Sequence, residues 1–199
     1  MKHLIIAATA LCGAVSTANA SIAPVLDTVT LVGTEYEFSY SGTLSGDVGL
    51  VEDDLLIIYD FAGYVAGSIS AGIYAADVDA FTELTSAFAP IGFTDDPLLA
   101  NLVFRWSGAP FNASGGPFAD VDFAGLTARS IYSATTLDAY VAQSTINNGA
   151  ATGQKEFNMG AVAVPEGVPV PEPATWALMI LGFGLAGTTL RRRAQPARA

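Results

Sequence analysis

The chain has 199 residues and a formal net charge of −11, and it is long enough to bury one sizeable apolar core. Its single cysteine, Cys12, and its single histidine, His3, both lie within the first 20 residues. For the remainder of the chain, this composition excludes Ser-His-Asp and Cys-His catalysis, zinc sites built on thiolate or imidazole, and disulfide bonds.

The first element has the pattern of a secretory signal peptide. Lys2 and His3 supply a short cationic start, residues 4–15 form an apolar segment, and Ala18 and Ala20 form a small-x-small cleavage site. This apolar segment is too short to span a membrane as an uncleaved anchor. We therefore expect cleavage after Ala20 and export of the rest of the chain.

Residues 21–164 carry the signals of a β protein. Residues 35–40 alternate polar with aromatic side chains at a period of two, which is typical of a half-buried strand. Residues 54–61 are a continuous apolar run that favours the middle of a sheet, and residues 63–73 are predicted to be its hairpin partner. Further strands are predicted at 28–34, 102–106, 122–132, 137–146 and 156–164. Residues 41–46 are predicted to be a turn or a short edge strand, and turns are predicted at 112–117 and 147–149.

One short helix is predicted, at residues 77–88. Eight to ten short strands with glycine-rich turns and no alternating helices favour an all-β fold, a single β-sandwich or jelly-roll-like ectodomain. Residues 60–69 and 122–131 are identical at seven of ten positions. We interpret them either as equivalent strand–glycine–strand corners of the two sheets or as a chance similarity between strand sequences.

The acidic residues are confined to the middle of the chain. All 19 of them lie between Asp27 and Glu172, where Arg105, Arg129 and Lys155 are the only basic residues, so this region carries a formal charge of −16. A region without a cationic patch cannot neutralise phosphates, which excludes nucleic acid as a partner.

Aspartates two residues apart are the candidate metal ligands. In an extended segment, Asp77 with Asp79, and Asp120 with Asp122, would each project two carboxylates to one face, and such oxygen ligands suit Ca²⁺. Neither pair belongs to an EF-hand loop, so solvated loop carboxylates are the alternative interpretation. An enzyme would have to work with paired carboxylates, as glycoside hydrolases do. Nothing distinguishes one pair from another, and we assign no catalytic residue.

Glycan binding is the more economical function for this region. Tyr36, Tyr40, Tyr64, Tyr74 and Trp106 could present aromatic faces to sugar rings, although the same residues also suit half-buried strand positions.

The C-terminal element combines a proline-rich stretch with an apolar segment. Residues 174–190 carry no charge, and as a helix they would cover about 25 Å of the ~30 Å hydrocarbon core. Arg191, Arg192 and Arg193 then fix the cytoplasmic side, while Trp176 suits the outer interface. The sequence therefore predicts one transmembrane helix at residues 174–190.

This element resembles a known sorting signal. Pro171, Glu172 and Pro173, then Trp176-Ala177 and the arginine block, resemble the PEP-CTERM signal in its PEPxxWA form, which is also catalogued as the ice-binding protein C-terminal domain. The resemblance implies export by the secretion machinery, transient membrane insertion, and processing near the Pro-Glu-Pro motif by an exosortase in bacteria that secrete extracellular polysaccharide. Ice binding itself has no support, because no predicted strand carries a regular Thr-x-Thr ladder.

The sequence thus predicts five segments: a signal peptide (1–20), a β-sandwich ectodomain (21–164), a proline-rich linker with the sorting motif (165–173), a transmembrane helix (174–190) and a basic cytoplasmic tail (191–199). After processing, the protein is expected at the cell surface or in the polysaccharide matrix, as a structural or glycan-interacting component rather than an enzyme. The alternatives are a secreted carboxylate-based glycan hydrolase and a calcium-dependent binding module.

Overall fold

The computed structural model describes residues 21–167, 179–181 and 183. Residues 21–167 form nine strands and two short 3₁₀ turns, at Gly72–Tyr74 and Gly149–Ala151. The strands are β1 (Ile22–Val32), β2 (Glu35–Leu44), β3 (Val48–Gly49), β4 (Leu55–Phe61), β5 (Val78–Glu83), β6 (Ala100–Trp106), β7 (Val121–Ser130), β8 (Thr135–Ile146) and β9 (Lys155–Pro165). The predicted all-β class is confirmed.

The first sheet has three antiparallel strands in the order β1-β2-β7. A two-residue turn joins β1 to β2, and its first residue, Gly33, has a φ of +69° that suits glycine. Along β2 the side chains alternate between buried and half-buried positions. That alternation is expected for a sheet with one face on the core.

The second sheet has six strands in the order β3-β8-β4-β6-β5, with β9 also paired to β8. One edge of β8 pairs with β9, from Thr135↔Pro165 to Thr145↔Lys155. The other edge of β8 pairs with β4 and, farther along, with β3. β4 lies between β8 and β6, and all seven of its residues are buried. The prediction that this apolar run occupies the middle of a sheet is confirmed.

The two sheets share one apolar core. Phe38 of the first sheet and Phe61 of the second are both fully buried, and their rings meet edge to face with centroids 5.3 Å apart. The same cluster takes side chains from all three strands of the first sheet and from β4, β6, β8 and β9 of the second. Two sheets that bury their facing surfaces together form a β-sandwich.

A second apolar cluster covers the opposite face of the second sheet. Ile57 and Tyr59 of β4 pack there with Val103 of β6 and Val141 of β8. Phe93, from the connection between β5 and β6, lies on Tyr59 with ring centroids 5.0 Å apart. This connection explains why β4 is buried on both faces.

The helix predicted at residues 77–88 is wrong. β5 occupies this stretch and pairs along its whole length with β6, from Val78↔Trp106 to Glu83↔Asn101. The apolar residues at 78, 81, 84 and 88 imitate a helical spacing. Val78, however, packs into the core between the sheets, and Phe81 packs against the opposite face, as alternating strand residues do.

The hairpin partner predicted at residues 63–73 is also wrong, because β4 pairs with β6 and β8 instead. The chain leaves the second sheet after β4 and runs along β7 of the first, where Val65 N donates to Arg129 O at 2.9 Å. The positive φ of Asp60 (52°) accompanies a register shift just before the end of β4, and the positive φ of Gly63 (64°) turns the chain after the strand. We call residues 62–70 the crossing segment.

The two similar ten-residue segments are therefore not equivalent positions in the two sheets. Residues 122–131 lie mostly in β7, which continues through a register shift at Gly125, whereas residues 60–69 end β4 and enter the crossing segment. The two instead contact each other. Ser130 Oγ donates to Ala62 O at 2.7 Å, and Ile131 N donates to Gly63 O at 3.0 Å.

The predicted signal peptide (1–20), the sorting motif and most of the predicted transmembrane helix lie outside the described residues. Residues 179–181 and 183 are helical and exposed. Across the described part of the chain, no helix has the length and hydrophobicity that crossing a membrane requires. Contacts divide the chain into one compact unit that ends at Glu166 and another that begins at Gly167.

Candidate ligand-binding cleft

A cleft opens between the two sheets at one end of the sandwich. It lies where β4 and β7 begin and where β2 and β6 end, and its volume is about 310 Å³. Small-molecule sites in proteins span about 300–1,000 Å³, so the cleft falls at the lower end of that range. Its lining is apolar or aromatic except for Asp54 and Asp77.

Three aromatic residues form the outer part of the cleft, and we call Tyr74, Trp106 and Phe111 the aromatic rim. Tyr74 ends a 3₁₀ turn, Trp106 ends β6, and Phe111 lies in the loop that follows. The indole N–H of Trp106 donates to Ala109 O at 3.0 Å, and Phe111 exchanges two 2.8 Å backbone hydrogen bonds with Leu50. These bonds hold the Trp106 and Phe111 rings with their centroids 6.2 Å apart.

The inner wall of the cleft is aliphatic and aromatic. It consists of Leu44, Leu56, Phe104 and Leu126, each no more than 5% exposed. Leu56 and Phe104 are direct cross-strand neighbours in the second sheet, while Leu44 and Leu126 come from the first. Each sheet therefore contributes half of the inner wall.

Glycine at position 42 makes room for another lining residue, Phe123. The two are paired across β2 and β7. A Cβ atom built on Gly42 would stand 2.6 Å from Phe123 Cζ, which is closer than real Cβ contacts come. Because Gly42 has no side chain, the Phe123 ring can lie across the neighbouring strand and reach the cleft.

The two carboxylates that line the cleft have different environments. The Asp54 side chain is fully buried and accepts hydrogen bonds from Lys155 Nζ at 2.6 Å, Thr145 Oγ1 at 2.8 Å and Val51 N at 2.9 Å. Asp77 is exposed. Asp77 is therefore the carboxylate that can meet a ligand, whereas Asp54 is held in an ion pair.

The position of Asp77 is fixed by the loop that carries Trp106. Its backbone oxygen accepts hydrogen bonds from Ser107 N at 2.8 Å and Gly108 N at 3.1 Å. A Cβ atom on Gly108 would stand 2.5 Å from Asp77 Oδ1, so only glycine allows this close approach. The carboxylate is thus placed beside the aromatic rim.

The predicted calcium ligands take separate partners. Asp79 pairs with Arg105 at 3.3 Å, Asp120 accepts a hydrogen bond from Gly46 N at 2.8 Å, and Asp122 accepts one from Thr43 Oγ1 at 2.8 Å. Among the residues that the structure describes, no three potential metal ligands are grouped so that they could hold an ion. Calcium binding stays a prediction. A comparison of the melting temperature in the presence of Ca²⁺ with the melting temperature in the presence of a chelator would test it.

The structure brings together two of the five aromatic residues proposed for glycan contact. Tyr74 and Trp106 both line the cleft, and Tyr74 also packs against the core. Tyr40 is fully buried, and its hydroxyl donates to Ala163 O at 3.0 Å. Tyr36 and Tyr64 pack partly buried against the core.

A cluster of four carboxylates, Asp60, Asp95, Asp96 and Asp138, lies at the far end of β4 and is not predicted from the sequence. The pKa of Asp60 is raised to about 6, mainly by burial and also by the charges of Asp138, Asp95 and Asp96, against a hydrogen bond from Asp96 N that lowers it. Burial also raises the pKa of Asp138. Only the adjacent pair Asp95-Asp96 is visible in the sequence, because β4 and β8 bring in the other two residues from distant positions.

Comparison with family models locates the sorting element of the chain. The model described as the PEP-CTERM protein-sorting motif matches residues 169–193. The chain carries a PEP-CTERM motif. The resemblance inferred from Pro171-Glu172-Pro173, Trp176-Ala177 and the arginine block is therefore confirmed. Neither the curated proteins nor the solved structures gave a match.

The PEP-CTERM motif follows the strand that leaves the sandwich at the end opposite the cleft. β9 ends at Pro165, which pairs with Thr135 at the start of β8, whereas the cleft lies beside Leu55, which pairs with Gln143 near the end of β8. At about 3.3 Å per residue, these two levels of β8 are about 25 Å apart. The chain therefore exits toward its sorting motif from the end that does not carry the cleft.

Proposed function

We propose that the protein is a surface or matrix component that an exosortase processes and that binds extracellular polysaccharide without catalysing its breakdown. The PEP-CTERM motif supports export and exosortase targeting. The observation that carries the binding role is the aromatic rim beside the exposed carboxylate of Asp77. Sugar rings offer apolar faces to aromatic side chains and hydroxyl groups to carboxylates.

The position of the cleft at one end of the sandwich fits this role. Processing acts on the chain beyond Glu166, and the sandwich exposes the cleft at its other end. Processing on the C-terminal side would therefore leave every residue that lines the cleft in place.

Among the residues that the structure describes, Asp77 is the one exposed carboxylate that lines the cleft, which supports binding rather than hydrolysis. A glycosidase works with two carboxyl groups placed on either side of the bond that it cleaves. In this cleft Asp77 is exposed, but Asp54 is buried and its charge is matched by Lys155. We therefore propose a binding role for Asp77, as an acceptor for sugar hydroxyl groups.

Cosedimentation with the polysaccharide of the producing cells tests the proposal. Replacing Trp106 by alanine should weaken retention about tenfold, since aromatic contacts of this kind contribute about 0.5–1.5 kcal/mol beyond their buried area. Phe157→Ala is the matched control, because Phe157 is 49% exposed and does not line the cleft. Equal retention of the Trp106→Ala variant and the unaltered protein would contradict glycan binding at the rim.

A further inference from the structure

The inner wall of the cleft does not suit a bare sugar. Leu44, Leu56, Phe104 and Leu126 offer no side-chain hydrogen-bonding groups, and the one charged group beside them, Asp54, is already bonded to Lys155, Thr145 and Val51. A hydroxyl group buried against this wall would lose its bonds to water without replacement. The inner part of the cleft is therefore suited to an apolar group.

The volume of the cleft sets the size of that group. An apolar cavity of about 150 Å³ holds a benzene molecule, and this cleft measures about 310 Å³. It has room for a group about twice the size of benzene, such as an unbranched chain of about eight to ten carbons. The aromatic rim lines the outer part of the cleft, so the chain would occupy the deeper part.

Charge selects the head group that such a chain can carry. Asp77 is exposed at the cleft, and residues 27–172 carry a formal charge of −16. A carboxylate head, as in a fatty acid, would be repelled by this field and by Asp77 itself. A neutral head with hydroxyl groups would instead donate hydrogen bonds to Asp77.

From these observations we infer that the cleft binds a neutral sugar that carries an apolar alkyl or acyl substituent. The substituent lies against the inner wall, and the sugar lies between the aromatic rim and Asp77. This inference rests on the proposed glycan binding and names the class of glycan: an acylated or alkylated sugar rather than an unsubstituted polysaccharide.

Titration with glycosides of one neutral sugar tests the inference. The methyl, butyl and octyl glycosides, each below its micellar concentration, are compared by calorimetry on the protein purified from its producing cells. Affinity should rise about threefold to fourfold per methylene until the cleft is filled, since each buried methylene contributes a roughly constant increment. Octanoate should bind at least about tenfold more weakly than octyl glycoside.

The outcomes separate this inference from the proposed function. Equal affinities for the methyl and octyl glycosides would overturn the apolar subsite and leave glycan binding in place. Octanol binding as tightly as octyl glycoside would show that the sugar contributes nothing, which would overturn both. Absence of binding by all three glycosides would also overturn both.

Two substitutions test the location of the apolar subsite. Val121 is half-exposed and lines the cleft from the start of β7, so Val121→Phe should fill the inner part and abolish the chain-length dependence while the methyl glycoside still binds. Leu50→Phe fills the cleft from the connection between β3 and β4. The same result in both variants would show that a folding defect of Val121→Phe is not the cause. The control Phe157→Ala should keep the full dependence on chain length. A dependence that survives both filling variants would place the chain elsewhere.

Discussion

Asp60 is a carboxylate held where its surroundings oppose ionisation. The residue is 8% exposed at the end of β4, and its Oδ1 accepts a hydrogen bond from Asp96 N at 3.0 Å. Its backbone N–H donates to Asn101 Oδ1 at 3.0 Å, and Asn101 Nδ2 in turn donates to Asp95 Oδ1. These bonds fasten the connection between β5 and β6 to the second sheet.

We expect Asp60→Asn to raise the melting temperature at pH 8. Burial raises the pKa of Asp60 from 3.8 to about 6, so the folded protein holds this proton more tightly than the unfolded chain does. The contribution of Asp60 to stability is therefore complete below about pH 4 and is lost as the pH rises through about 6. Asparagine keeps the acceptor oxygen and tolerates the φ of +52° at this position.

Thermal unfolding between pH 4 and pH 8 checks this expectation. The advantage of the variant should shrink as the pH falls and should vanish near pH 4, where the wild-type carboxyl group is also neutral. An advantage that does not change with pH would mean that ionisation of Asp60 is not its cause.

Lys155 is the residue that matches the buried charge of Asp54. Its replacement by methionine should lower the free energy of unfolding by about 1–3 kcal/mol, because a fully buried carboxylate loses its ion pair. The Lys155 side chain is 36% exposed, and water can partly replace it, which keeps the expected loss below that of a wholly buried pair. Urea denaturation measures the change.

Arg105→Met is the matched control for this measurement. Arg105 pairs with Asp79 and Asp53, but both carboxylates are more than half exposed, so the loss should stay below about 1 kcal/mol. Equal losses in the two variants would show that burial of Asp54 does not set the cost.

At the scale of elements, the crossing segment depends on two glycines in different surroundings. Gly63 and Gly67 have φ angles of +64° and +76°. A Cβ atom on Gly63 would stand 2.6 Å from Tyr132 Cδ2, whereas a Cβ atom on Gly67 would meet nothing within 4 Å. The two positions therefore separate backbone strain from steric conflict.

Gly63→Ala should destabilise the protein more than Gly67→Ala does. The left-handed conformation alone costs a non-glycine residue about 1–2 kcal/mol, which is the whole effect expected at Gly67. At Gly63 the displacement of Tyr132 adds to it, so we expect a loss of about 2–4 kcal/mol in urea denaturation. A smaller loss at Gly63 than at Gly67 would contradict the packing of this segment against the residues after β7.

Most strands could be predicted because the spacing of their apolar residues indicates which faces of the strand are buried. The alternation along β2 and the continuous apolar run of β4 each correspond to one way of burying a strand. β5 was mistaken for a helix because pairing with β6, rather than its own sequence pattern, makes it a strand. The path of the crossing segment could not be predicted either, since its hydrogen bonds are made with a strand about 60 residues away.

The candidate cleft could be predicted only in part. The sequence identified Tyr74 and Trp106 as aromatic residues suited to glycan contact, and both lie at the rim. It gave no reason to join them to Phe111 or to Asp77, because β6 and the loop connections set that grouping. In the sequence, the residues of the inner wall cannot be distinguished from core residues. Both occupy alternate strand positions whose side chains face the opposite sheet.

At the scale of the whole molecule, we propose that the PEP-CTERM motif acts first and the sandwich acts afterwards. The motif at residues 169–193 marks the chain for exosortase targeting, and the sandwich before it carries the cleft at the end away from its exit. The formal charge of −16 between residues 27 and 172 favours solubility, because like charges oppose association between copies. We therefore propose that delivery and ligand binding are separate tasks of the two parts.

Mass spectrometry of the protein isolated from the surface or matrix of producing cells tests this account most directly. We expect a product that begins at Ser21 and ends near Pro171-Glu172-Pro173, because the motif is proposed to be removed after it has been read. A surface-located product that still carries residues 176–199 would contradict exosortase processing.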